Sequence, residues 1–358
     1  MPTVRIDYGK VITQHLHTLQ KLQEPSGLFL ASPKNVTTGY DKAWLRDNFY
    51  ECMAFEYLGE WDVVYRTYRA ILAIFLKHEA KIDAAIAHKP GQSFEYIHPR
   101  YNPDTFDEYW ENWGNKQHDA IGAILFRLGE LEQHHETSVI QTETERTIVQ
   151  KLVQYLDSVQ YWQDPDNGMW EEEEELHASS VGACVAGLKS IATLSYITVA
   201  PELIARGEAT LRTLLPRESK KKFVDLAQLS LIYPYDIVTV EERNRILENV
   251  EYHLVKELGV IRYKNDLYYN SDNGGGQEAE WTFGLAWLAI IFEQIGDQTK
   301  AEQYMRRAMS TVDSVGEVPE LYFSNSERHN KNSPLGWSES MFIVALYLFY
   351  QKYVRPVQ

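Results

Sequence analysis

Residues 142–159 read TETERTIVQKLVQYLDSV, and residues 161–177 that follow read YWQDPDNGMWEEEEELH. The first stretch has the local marks of a helix. Thr142-x-x-Glu145 is a capping box, and Ile148, Leu152, Leu156 and Val159 recur at spacings of three and four, which gives one apolar face. The second stretch has no helical period; it is a long connection rich in Trp, Asp and Glu. A plain helix followed by a decorated loop is the unit from which the rest of the chain is read.

Outward from this unit helical periodicity dominates. Asp297 caps another helix with Ala301, Met305, Ala308 and Val312 on one face. Strand-like alternation is confined to short pieces near Leu258–Tyr263 and Leu267–Tyr269. The pattern predicts about twelve helices, starting near residues 8, 45, 60, 117, 141, 178, 199, 222, 240, 277, 298 and 335. After even-numbered helices the connections are short: around Gly59, Glu136 and Ala200, at Tyr233–Val240 and at Gly296–Asp297. After odd-numbered helices they are mostly long: 25–44, 80–116, 161–177, 256–276 and 315–334.

Successive helices in a bundle run antiparallel, so all the long connections emerge at one end, where long loops commonly carry function. Six helical hairpins of this kind close most naturally into an (α/α)6 barrel, an all-α fold with its active site at the long-loop end. An open solenoid is the other arrangement of hairpins, but no repeat of fixed period supports it. Neither a linker nor a low-complexity tract divides residues 1–358, which read as a single domain.

Composition narrows the function. Apolar residues make up 44% of the 358, enough for a sizeable core without a membrane or a partner. A net charge of −16 argues against a nucleic-acid surface, and the one basic run, Arg217–Lys222, reads as a solvated loop. Two cysteines, Cys52 and Cys184, lie far apart in apolar helical patterns. They leave no cysteine-based metal site or disulfide framework and fit a reducing compartment. The N-terminus has no apolar signal core, and no apolar run approaches the ~20 residues of a membrane span. The expectation is a cytoplasmic protein with no cofactor and no metal.

Nine Trp and 23 Tyr exceed what a helical core requires. They gather in the long loops, beside charged and amide groups. The first carries Tyr40, Trp44, Arg46 and Asp47; the second Trp110, Trp113, Gln117 and Asp119. The third carries Asp166, Trp170, Glu171 and Glu172; the fifth Arg262, Tyr268, Tyr269, Glu280 and Trp281. The sixth carries Glu317 and Glu320, then Trp337. A pyranose offers an apolar face to an indole and a rim of hydroxyls to charged or amide partners, so this mixture suits carbohydrate. Glycoside cleavage also needs two carboxyl groups flanking the scissile oxygen. Glu171 or Glu172 in the third loop and Glu317 or Glu320 in the sixth are the candidates, while Glu173–Glu175 read as a solvated helix start.

These loops, in order over most of the chain, resemble glycoside hydrolase family 15, the glucoamylases and their relatives. The matching segments are Tyr40…Trp44-x-Arg46-Asp47, Trp113-Gly-x-x-Gln117-x-Asp119, Trp170-Glu171-Glu172, Arg262-Tyr…Tyr268-Tyr269-Asn270, and Pro319-Glu320 with Pro334-Leu-x-Trp337-Ser338. The resemblance implies Glu171 as general acid and Glu320 as general base, with Tyr40 supporting the developing oxocarbenium ion. It implies Arg46, Asp47 and Arg262 on sugar hydroxyls, Glu172 on the next sugar, and Trp44, Trp113, Trp281 and Trp337 lining the pocket. Family members invert the anomeric centre and release β-glucose from α-linked oligo- or polysaccharides, and no metal takes part. A general acid of this kind needs a raised pKa, which a Trp neighbour and nearby carboxylates favour. The chain is shorter than typical glucoamylases and is expected to lack their appended domains and their secretion.

Asn167-Gly-Met-Trp-Glu171, Leu176-His-Ala-Ser-Ser-Val-Gly182 and Glu278-Ala-Glu280-Trp281 also resemble the N-terminal domain of phosphorylase kinase α and β subunits. That branch implies a sugar-sensing regulatory module instead of an enzyme. Another (α/α)6 sugar enzyme, a trehalase or an epimerase using histidines, would draw on His118 and His177, although a lone loop histidine is more often a hydrogen-bonding bystander.

Overall fold

The computed structural model describes residues 7–111, 113–135, 137–270 and 276–353. The short connection expected around Glu136 and part of the fifth long loop therefore involve positions outside the described residues. Twelve α-helices are present among the described residues: α1 (Tyr8–Gln20), α2 (Leu45–Leu58), α3 (Trp61–Lys77), α4 (Glu79–Ala87), α5 (His118–His134) and α6 (Glu143–Val159), then α7 (Ala178–Ile191), α8 (Pro201–Leu214), α9 (Val240–His253), α10 (Phe283–Gln294), α11 (Gln298–Met309) and α12 (Gly336–Tyr353).

The elements that pack side by side form a closed ring. Helix α2 touches α5, α5 touches α7, α7 touches a 3-10 segment at Leu226–Leu231, and α10 and α12 complete the circuit back to α2. Outside this ring α1, α3, α6, α8, α9 and α11 each cover an inner neighbour. This is an (α/α)6 barrel. The sequences sort themselves accordingly. Helices α7 and α10 are apolar or small all round and bury nearly every residue, whereas α9 and α11 bury one stripe and show charge to solvent. The capping boxes at Thr142 and the Asp297 cap form as the sequence predicts.

Three elements differ from the sequence reading. The loop 80–116 contains a further short helix, α4, which packs on α6. The helix expected from 222 is the 3-10 segment, capped by Asp225 and followed by turns through Pro234. The strands expected near 258–263 and 267–269 reduce to isolated bridges from Val260 to Val255 and Trp281, and Tyr269 is in a left-handed conformation. The strands that do form tie loops together. Ala43–Trp44 (β1) pairs antiparallel with Arg100–Tyr101 (β2), and Glu280–Trp281 (β3) with Leu321–Tyr322 (β4).

Two features make the barrel narrow and closed below the loops. Helices α5 and α7 meet backbone to backbone: a Cβ on Gly122 would lie 2.4 Å from the Ala183 carbonyl carbon, and one on Gly187 would lie 2.3 Å from the Gly122 oxygen. Across the barrel Trp337 is sandwiched between Tyr50 (ring centroids 4.1 Å apart) and Phe283 (4.5 Å), both nearly parallel to it. No helix among the described residues is long and apolar enough to cross a membrane.

Gly122→Val forces α5 and α7 apart along their whole contact. It is expected to lower unfolding stability by about 1–3 kcal/mol or more, read as a drop in the urea midpoint at unchanged slope.

Candidate active site

The long loops converge above the aromatic stack on one narrow pocket. It holds about 50 Å³, room for roughly four waters at about 10–15 Å³ each. Its walls come from four of the expected loops: Tyr40, Trp44, Arg46 and Asp47 from the first, Trp170 and Glu171 from the third, Arg262 and Trp281 from the fifth, Glu320 and Trp337 from the sixth; the second loop does not line it.

Glu171 sits at a turn with φ of 61°, and Gly114 lies so close behind it that a Cβ there would be 2.5 Å from the Glu171 carbonyl oxygen. Its carboxyl group accepts from the Trp44 indole (2.7 Å), the Gln117 amide (2.9 Å), Arg46 (3.2 Å) and the Trp113 indole. Indoles were expected beside it as apolar neighbours together with carboxylates; here they serve as donors, beside a cation. Arg46 also reaches Gln117 (2.8 Å) and Asp119 (3.0 Å), so the second loop and the start of α5 are tied to the first loop.

Glu172 is next in sequence but faces a different set of partners. It accepts from Arg262 (2.8 Å), Tyr263 (2.6 Å) and Lys222 (2.9 Å). Burial pushes this carboxyl up, but Arg262 and Lys222 outweigh it and hold it below its ordinary value. Arg262 makes a two-pronged contact with Asp266, 2.6 Å on each arm, and is ringed by Trp170, Tyr268 and Trp281. The basic run 217–222 is thus more than a solvated loop, since the mostly buried Lys222 holds Glu172 behind the pocket wall.

Glu320 is buried on the far wall. The β3–β4 pair fixes it from one side, with the Thr282 amide bonded to its carbonyl. Asn332 (2.8 Å) and Asn330 donate to its carboxyl group. Burial pushes Glu320 up, and these amides with the Tyr40 hydroxyl oppose the shift. Tyr40 and Tyr268 share a 3.0 Å hydrogen bond above it. Asp47 is pushed up to about 7, mainly by burial, with Glu171 and Glu320 adding to the effect and Arg46 opposing it. The indole nitrogens of Trp281 and Trp337 are buried without partners. With both faces of Trp337 covered, that residue presents an N–H edge to the pocket, not a stacking face.

Of the remaining candidates, Trp113, Gln117, Asp119, Glu172 and Tyr268 stand one bond behind the wall. Glu317 lies off the pocket, near Ser333 and Asp313. Glu173 and Glu175 belong to the loop, not to a helix start: Glu173 pairs with Lys221, and Glu175 bridges Asp166. His118 and His177 are engaged with Asp164 and Glu218 and do not line the pocket. The sequence reading missed Arg100, Asn330, Asn332, Lys222 and Tyr263. Arg100 is fully buried with its guanidinium over Trp113 (4.3 Å) and Trp44 (5.4 Å). Only the β1–β2 pairing places it there, and no local pattern announces that pairing.

A ring of helical hairpins with a polar and aromatic pocket at its loop end defines the glucoamylase-like class of (α/α)6 barrels. The chain belongs to glycosyl hydrolases family 15, whose sequence profile matches residues 7–248. The phosphorylase b kinase regulatory subunit alpha of Caenorhabditis elegans (a probable assignment) is 24% identical over 432 aligned positions, covering 99% of this chain and 34% of that protein. The chain thus spans about a third of the length of that relative. A solved glycosidase variant in complex with glucose superposes with a TM-score of 0.80 at 20% identity, covering 95% of this chain and 97% of that one. The glucoamylase of Hormoconis resinae does so with a TM-score of 0.73 at 14% identity, covering 97% of this chain and 73% of that one. At these identities the likeness carries the fold.

Asp47 supplies a pH prediction. Its folded pKa is about 7 against an ordinary 3.8, so the folded state holds the proton that the unfolded state has released. Stability therefore falls as pH rises from about 4 to about 7 and is level above. Asp47→Asn removes that loss: its melting temperature should exceed that of the parent at pH 8, with the difference closing as pH falls to 4. Equal differences at both pH values would contradict the assigned shift.

Proposed function

We propose that the chain is an exo-acting, inverting glycoside hydrolase that releases β-glucose from the non-reducing end of α-glucosides, malto- or isomalto-oligosaccharides among them. The observation that carries this reading is the placement of Glu171 and Glu320, from the third and sixth long loops, on one small pocket with an aromatic floor. A narrow pocket above a packed floor suits a chain end better than a chain interior, which is the meaning of exo-action.

In this reading Glu171 donates a proton to the glycosidic oxygen as its bond to the anomeric carbon breaks. Glu320 takes a proton from the water that forms the new bond on the opposite face, for which the two carboxyl groups need about 6.5–9.5 Å between them. Tyr40 supports the developing positive charge, and Arg46, Asp47 and Arg262 hold hydroxyls. Trp281 and Trp337 offer them two unpartnered indole N–H groups. Beyond Glu172 a groove of about 690 Å³ opens between Tyr263, Phe223 and Leu267, suited to the next sugars of the substrate. The domain is read as one unit working in a reducing compartment, in keeping with Cys52 and Cys184, both buried and free.

A second reading is a sugar-sensing module without turnover. It is favoured by the four donors already bound to the Glu171 carboxyl group and by the regulatory subunits among the relatives.

The test is glucose release from maltose, maltotriose, isomaltose, trehalose and soluble starch, with the product anomer followed by proton NMR. The expected result is β-glucose, with kcat lowered about 10²–10⁴-fold by Glu171→Gln and by Glu320→Gln. No turnover of any sugar, with calorimetric binding retained, would replace this reading with the regulatory one.

A further inference from the structure

A second cavity, larger than the first, lies behind the second long loop. It holds about 540 Å³ against about 50 Å³ for the catalytic pocket. Its walls include Phe94, Tyr109, Trp110, His98 and Asn115. Trp110 is 93% exposed and Phe94 62%, the two largest aromatic surfaces that this cavity shows to solvent. Two bare aromatic rings on the wall of one cavity form an apolar patch rather than a single exposed side chain, and such patches mark contact surfaces.

The polar groups of the cavity specify the ligand further. Asn115 Oδ1 is buried with no partner. His98 is 3% exposed, and its Nδ1 accepts from the Arg100 amide, which leaves the N–H on Nε2. That Nε2 is buried with no hydrogen-bond partner of ordinary geometry, while the Tyr109 backbone bears on the imidazole. Burial, with Lys81 and Arg100 nearby, pushes the imidazole down to about 3, so it is neutral. One free acceptor and one under-used donor therefore stand beside aromatic plates.

The charges around the cavity are already spent. Lys81 pairs with Glu108 at 2.8 Å and Lys89 with Asp164 at 2.8 Å. Glu111 is held by Lys42 and Arg100, and Glu95 by the amides of Gly91 and Gln92. Glu95 differs in having amides in place of a cation. Stacking plates, neutral hydrogen-bonding atoms and mostly paired charge together suit a neutral polyhydroxyl ring.

We propose that this cavity is a second carbohydrate-binding site, taking a neutral glucan segment of two or more residues apart from the catalytic pocket. Trp113 and Gln117, close in sequence to Tyr109 and Asn115 of this cavity, stand on Glu171 of the catalytic pocket. The glucan class of the ligand rests on the hydrolase reading; the site itself does not.

Cyclic glucans test it, because a ring has no non-reducing end to enter a narrow pocket. β-Cyclodextrin supplies α-1,4 links and cycloisomaltoheptaose α-1,6 links, each titrated by calorimetry. At least one is expected to bind the parent protein, to bind Glu171→Gln equally, and to bind Trp110→Ala or Phe94→Ala at least tenfold more weakly. Turnover of a disaccharide by Trp110→Ala should stay within twofold of the parent. The proposal is overturned if neither ring binds, if Trp110→Ala and Phe94→Ala bind as tightly as the parent, or if Glu171→Gln abolishes binding. Disaccharide hydrolysis by the same parent protein separates the two readings: ring binding without hydrolysis removes only the enzyme, and hydrolysis without ring binding removes only the second site.

Discussion

Of the guanidinium groups buried beneath the loops, Arg46 and Arg262 carry the ion pairs that tie the site together, and a buried charge is costly unless it is paired. Arg46 pairs with Asp119 and Glu171 and also bonds Gln117, with its Nε left unpartnered; Arg262 pairs with Asp266 and Glu172. The partners come from the start of α5 (Gln117, Asp119), the third loop (Glu171, Glu172) and the fifth loop (Asp266), so satisfying the two cations pulls these segments and the first loop into one arrangement. The short strand pairs β1–β2 and β3–β4 then fix the remaining freedom, and β4 brings the sixth loop with it. The site's geometry follows from these constraints on irregular chain, resting on a barrel that is itself rigid because α5 and α7 touch through their backbones.

The pair Glu171–Glu172 shows how one local feature divides two like residues. The left-handed backbone at Glu171 turns its side chain toward the indoles of Trp44 and Trp113. The next carboxylate turns toward Arg262, Lys222 and Tyr263. Adjacent glutamates thus acquire separate surroundings. Sequence alone left the assignment within this pair to family resemblance, since nothing in a run of five glutamates marks which one occupies the turn.

What was legible in the sequence was periodic or punctuated. The α6 capping box, the α11 cap, the apolar α10 and the alternation of short and long connections each follow from spacing within one segment. What was not legible depended on distant partners. Helix α4 is nine residues with a weak apolar stripe and is held by α6. The 222–231 segment looks helical by apolar content, yet it is a tight 3-10 run wedged between α7 and α10. Arg100, Asn330 and Asn332 reach the site through pairings of chain far apart in sequence. The wall residues carried by the Trp-and-carboxylate motifs were found, and the second row that steadies them was found only where it shared a motif.

The sandwiching of Trp337 between Tyr50 and Phe283 has a consequence for rigidity. The three rings belong to α12, α2 and α10, so the floor of the pocket is a single stack shared by three inner helices. None of the three can slide without parting the rings, and the floor therefore moves with the barrel and not with the loops above it.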